Sequence, residues 1–191
     1  MNPLKRIQYN APVILTFALI SLGVLGLARL TGGTSDRLLF SVYRASLADP
    51  FMYPRLFFHA LGHANMSHYL NNIMLILLLG PMLEEKYGGK WLIIMMVITA
   101  FITGILHIAI SDSAKLGASG IVFMMILLSS FANIQRGRIP ITLILVVVIF
   151  IGREVVSALD PNNNNNIAYM SHIVGGLCGA AFGFIAHKNT A

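Results

Sequence analysis

Residues 115–124 read KLGASGIVFM: a lysine, a cluster of small residues around one serine, then an apolar run. This is an unusual way for a chain to enter lipid, because a hydroxyl stands between two glycines at the threshold of a helix. Two readings compete. Small residues let membrane helices approach closely, and Ser119 is then a packing element. Alternatively, Ser119 is a nucleophile. The choice depends on what else in the chain reaches the same depth.

Composition sets the class. Of the 191 residues, 57% are hydrophobic and only 10% are charged, with a mean hydropathy of +0.77. A soluble domain of this length carries far more surface charge. The chain reads as a polytopic membrane protein with a single domain over residues 1–191. The formal charge of +6 lies in short tufts between apolar runs. That is the distribution of loop charges, and it speaks against a nucleic-acid partner. The single cysteine, Cys178, sits in an apolar stretch and reads as packing.

A span needs roughly 20 apolar residues. The sequence predicts six, over about 12–30, 67–83, 90–110, 118–134, 139–159 and 167–187. The first follows Lys5 and Arg6 but is too long for a signal peptide and lacks a cleavage site, so an uncleaved helix is expected. Asp160-Pro161 and the asparagines to Asn166 read as a polar loop. The connection from Thr31 to Asn65 mixes charges with large apolar residues, in DRLLFSVYRASL and PRLFFHALGHANM. Such stretches lie in the interface as amphipathic helices, and part of this one is expected to dip into the membrane. Lys5, Arg6, Lys86, Lys90, Arg136, Arg138 and Lys188 fall on one side; Arg29, Arg37, Arg44, Arg55, Lys115 and Arg153 fall on the other. Weighting short loops and helix ends, and noting that most acidic residues share the second side, both termini are expected in the cytoplasm.

Every even-numbered span then starts at the outer face. The polar residues that are out of place in this chain gather at those starts: HALGHANMSHYLNN (59–72), GASG (117–120) and YMSHIVGGLCG (169–179). At about 1.5 Å per residue, His172 lies roughly 8 Å below the start of its helix, and Ser119 and Asn72 are about one turn in. Three distant motifs therefore reach one depth. Gly175, Gly179 and Gly183 recur every four residues and give the sixth span a smooth face, which His172 shares. Gly117 and Gly120 point to the fourth span as the partner of that face. A serine and a histidine would then meet, and a histidine is the common base for activating a hydroxyl. His68 and Asn72 share a face of the second span and can both donate to an oxyanion, as can the N–H groups at a helix start. The spans hold no carboxylate at this depth other than Glu154, so a dyad fits better than a triad.

These motifs resemble those of rhomboid intramembrane serine proteases of the bacterial six-helix type. The G-x-S-G pattern is matched by Gly117, Ala118, Ser119 and Gly120. The H-x-x-x-H-x-x-x-x-H-x-x-x-N pattern is matched by His59, His63, His68 and Asn72. The H-x-x-G-x-x-x-G pattern is matched by His172, Gly175 and Gly179. The resemblance runs from about Pro12 to His187. It implies an all-α bundle of six transmembrane helices with a partly embedded first loop. It implies Ser119 as nucleophile, His172 as general base, and His68, Asn72 and the Ser119 N–H as the oxyanion hole. His63 would be a support or water-retention residue, and His59 structural. No cofactor and no metal is implied. The partners implied are single-pass or multi-pass transmembrane substrates, cut near the outer membrane face, together with the bilayer of a cell (inner or plasma) membrane.

The chain also departs from the family pattern. Pro54-Arg55 stands where many members have Trp-Arg, Lys86 replaces the Arg of E-x-R-x-G, and Phe123 stands where a Tyr often packs on the histidine. The fifth span is the candidate gate, although Gly152-Arg153-Glu154 is better read as interfacial snorkelling. Four alternatives stand beside this reading. A rhomboid-fold pseudoprotease would bind membrane proteins without cutting them, but such relatives generally lose the Ser or the His. A metalloprotease built on His59, His63 and His68 has zinc spacing in the His59/His63 pair, but that pair lacks the H-E-x-x-H glutamate, because Ala60-Leu61-Gly62 stands between them. Glu84-Glu85 has no paired histidine for a glutamate-type protease, and no inverted repeat supports a transporter.

Overall fold

A computed structural model of the chain describes residues 8–132 and 166–188, together with positions 141, 144, 145, 148, 149, 152 and 156. The fifth predicted span over 139–159, apart from those isolated positions, lies outside the described residues. So do Arg153 and Glu154, the basic residues at 5, 6, 136 and 138, and the polar loop up to residue 165. Among the described residues the architecture is helical, without a β-strand. The helices are α1 (Pro12–Leu30), a π-helical turn (Asp36–Phe40), α2 (Met52–Phe58), α3 (Met66–Tyr87), α4 (Gly89–Ile110), α5 (Ser119–Ala132) and α6 (Asn166–Lys188). Four of them are long and apolar enough to cross a membrane: α1, α3, α4 and the 169–186 part of α6. The 119–131 part of α5 is a shorter apolar helix.

Local chemistry explains the boundaries. Proline at the first position suits α1, since its missing N–H would lack a helical partner anyway. Ala11 cannot cap that end. The Glu84 carboxylate does so from α3, accepting from Val13 N–H at 3.0 Å and Ile14 N–H at 3.1 Å. This is why α3 continues a turn beyond the Leu83 expected from hydropathy: Glu84 is buried against α1. Asn65 caps the other end of α3, its side chain accepting from His68 N–H at 2.8 Å. Gly88, at φ +80°, turns the chain into α4.

The long first connection is built onto the bundle. It holds the π-helical turn and α2, where amphipathic stretches were expected. Arg55 is buried at its centre, donating to the Asp49 carboxylate at 2.7 Å and the Leu38 carbonyl at 3.1 Å. Its guanidinium also lies over the Tyr43 ring at 4.3 Å. The retained arginine thus anchors the connection without a tryptophan beside it. A Cβ at Gly104 would lie 2.8 Å from the Leu56 carbonyl, so α2 rests on α4 some way along from its Ile110 end.

At the centre lies α5. Ile121, Val122, Met124, Met125, Ile126, Leu127 and Leu128 are all buried, against α3, α4 and α6. A helix that is apolar all round is an interior helix. This burial places its first residue, Ser119, in the middle of the other helix ends.

Candidate active site

The loop before α5 is held from several sides. Val42 and Lys115 exchange both backbone hydrogen bonds, at 2.8 and 2.9 Å. Arg44 donates to the Ile108 and Ala109 carbonyls at the end of α4 and pairs with Asp112 at 2.8 Å. His107 Nε2 lies 2.7 Å from the Ser113 carbonyl and donates to it. The Gly117 N–H donates to the His59 carbonyl at 2.9 Å. Gly117 has φ +128°, which side chains rarely adopt.

Space at Gly117 is the second reason for a glycine there. A Cβ would lie 2.7 Å from His68 Cε1, 2.8 Å from His68 Nε2 and 3.8 Å from Asn72 Nδ2. The histidine and the asparagine of α3 therefore crowd the backbone two residues before Ser119. Asn72 is buried, and its Nδ2 donor has no hydrogen-bond partner among the described residues. Val122 N–H bonds the Ala118 carbonyl at 3.0 Å, so the turn before it presents N–H groups with no partner inside the helix. Donors from two helices thus converge beside Ser119, which is itself half-buried.

The surroundings of His172 are set by α5 against α6. A Cβ at Gly175 would run into the Gly120 carbonyl oxygen, and one at Gly179 into the Met124 carbonyl oxygen. Backbone meets backbone along this seam. His172 lies one turn before Gly175, and its ring stacks on Phe123 with centroids 4.2 Å apart and planes 15° from parallel. Phe123 is four residues after Ser119, so both occupy one face of α5. The Tyr169 ring meets His172 edge-on at 6.4 Å. Ser119 and His172 therefore open onto the same seam. On its far side Gly120 faces Thr103 of α4, whose Cγ2 would be 3.0 Å from a Cβ there.

The remaining histidines diverge. His59 is buried, with Nδ1 3.2 Å from the Arg55 carbonyl. Burial, then the nearby Lys115, lowers its pKa to about 3. His63 is buried against His68 and Tyr69, with ring centroids 5.2 and 5.5 Å away. Its Nδ1 lies 3.1 Å from the Leu61 carbonyl. Burial first, and then His68, lowers its pKa to about 4. Lys115 is pushed down to about 8 by burial. Among the described residues, no three His, Cys, Asp or Glu side chains gather as metal ligands.

Two contributors were not foreseen from sequence. His107 ties the loop to α4; a histidine near the end of an apolar span is the signal that marks it. Glu84 seats α1, and its partners 70 and 71 residues away leave no local pattern.

The model of a family described as the rhomboid domain matches residues 50–189. The chain is 27% identical over 133 residues to Rhomboid protease GlpG of Haemophilus influenzae, covering 68% of each chain.

Proposed function

The chain belongs to the rhomboid family, and we propose that it is an intramembrane serine endopeptidase using a Ser119–His172 dyad. The observation that carries the reading is the α5–α6 seam. Gly120 and Gly175 touch backbone to backbone, so Ser119 and the Phe123-stacked His172 share one interface. The neighbouring donors on α3 fit the second need of acyl transfer, a place for negative charge.

In this mechanism His172 removes the Ser119 proton as Oγ attacks the scissile carbonyl. The oxyanion is received by His68, Asn72 and the Ser119 N–H. His172 then protonates the leaving amine, and a water activated by the same ring hydrolyses the acyl ester. Phe123 holds the imidazole plane by stacking, and His63 supports His68 from behind. The substrate is a transmembrane protein whose helix unwinds near the outer face, because a peptide bond inside a helix is shielded. Both termini lie in the cytoplasm of a multi-pass arrangement, and residues 1–191 act as one domain.

The test compares purified wild type and Ser119→Ala on a single-span substrate in liposomes. Loss of the nucleophile lowers cleavage by about a thousandfold or more. Fluorophosphonate labelling disappears with Ser119→Ala and weakens with His172→Ala. Equal cleavage by wild type and Ser119→Ala would remove the serine from the mechanism.

A further inference from the structure

Residues 111–118 carry the chain from the end of α4 to Ser119, and the first connection holds them at three places. The Gly117 N–H donates to the His59 carbonyl, and Lys115 pairs with Val42 through two backbone bonds. Arg44 takes the beginning of the stretch with three different nitrogens. Its Nε donates to the Ile108 carbonyl at 2.9 Å and its Nη2 to the Ala109 carbonyl at 3.1 Å, while Nη1 pairs with the Asp112 carboxylate at 2.8 Å. The last carbonyls of a helix lack partners within it, and here an arginine 64 and 65 residues away supplies them. The chain turns at this point, since Ser111 is extended at φ −144° and ψ 146°.

Arg44 lies outside the serine, histidine and glycine motifs of the chain. Its side chain is 51% exposed and that of Asp112 82%, and an ion pair this open adds little to stability. What the planar fork adds is direction, because it fixes the helix end and the first loop residues to one plane. Direction matters downstream: Ser119 must face His172 and the donors of α3 together, and a displacement of about 1 Å at a reacting group costs about a hundredfold in rate. We propose that Arg44 is a positioning residue for proteolysis. It sets the angle at which the chain leaves α4 and, with Val42 and His59 holding the rest of the loop, the placement of the Ser119 hydroxyl. This role rests on Ser119 as the nucleophile.

The full chain in liposomes is titrated to completion with a fluorophosphonate, and cleavage of a single-span substrate is expressed per titrated site. In Arg44→Gln the number of sites stays near that of wild type. The kcat per site falls by about ten- to a hundredfold, with KM nearly unchanged, because the lost contact acts on the transition state and not on substrate binding. Arg44→Lys keeps a charge for Asp112 without the fork and recovers part of the loss. Asp112→Asn spares both carbonyl bonds and costs less than Arg44→Gln. Hydrogen exchange reads the loop without any cleavage: the Lys115 and Gly117 amides exchange faster in Arg44→Gln, while α4 amides before its last turn do not change. Fewer titratable sites with kcat per site intact is the mark of a merely structural role and overturns the proposal. Wild-type turnover in Arg44→Gln, or unchanged exchange at Lys115 and Gly117, overturns it as well. Labelling that persists in Ser119→Ala overturns the nucleophile reading itself, a failure told apart because loop exchange still responds to Arg44→Gln.

Discussion

At Gly175 a methyl group has nowhere to go. The obstacle is the Gly120 carbonyl, a backbone atom that cannot swing aside as a flexible side chain can. Gly175→Ala therefore pushes α6 off α5, at an overpacking cost of about 1–3 kcal/mol. It lowers the thermal unfolding midpoint in detergent and reduces fluorophosphonate labelling. Gly176→Ala is the matched control, since its Cβ would find Leu127 Cδ2 at an ordinary 3.5 Å and leave the midpoint nearly unchanged. A similar loss at both positions would contradict the seam argument. The period of four in Gly175, Gly179 and Gly183 was legible in the sequence as a smooth helix face. Which atoms filled it was not. Gly183 turns out to face the Phe131 ring at 2.5 Å from its Cβ position, so the seam changes from backbone contact to aromatic contact along its length.

Between elements, buried polar groups set the joints. Glu84 satisfies two N–H groups of α1, and the Tyr69 hydroxyl donates to the Ala18 carbonyl at 3.1 Å further along the same pair of helices. Glu84→Ala leaves those amides unpaired, at about 1–3 kcal/mol. Hydrogen exchange at Val13 and Ile14 accelerates, while α3 amides before its last turn stay protected. Unchanged exchange at α1 would remove Glu84 from this role. Hydropathy alone ended the second span at Leu83, because a carboxylate pair scores as an exit from lipid. The helix continues because one carboxylate has a buried partner that hydropathy cannot see. In the first connection, the amphipathic stretches were legible from their mixed composition. The clamp of Arg44 on the Ile108 and Ala109 carbonyls was not, since it joins positions 64 and 65 residues apart.

Across the whole molecule, the first connection couples stability to pH. His59 and His63 are kept neutral by burial, at about 3 and about 4 against an ordinary 6.5. Between those values and 6.5 the unfolded connection binds more protons than the folded one, so stability rises with pH through that window and is lost on acidification. The unfolding midpoint in detergent is accordingly lower at about pH 4.5 than at about pH 7. His63→Gln shows a smaller drop. A midpoint indifferent to pH in wild type would refute the linkage.

By itself the sequence determined the class of molecule, the apolar stretches that form α1, α3, α4 and α6, and the helix starts at which a serine, several histidines and an asparagine recur. These follow from hydropathy and from helical rise, which are local properties. The tertiary structure decided how those starts become contacts. It wraps α5 inside the bundle, sets Gly117 against His68 and Asn72, lays His172 on Phe123, and splints the serine loop with Val42, Arg44, His59 and His107. The physical reason is range: periodicity is written in neighbours three and four residues apart, whereas close packing and the pairing of buried polar groups join residues that only the fold brings together.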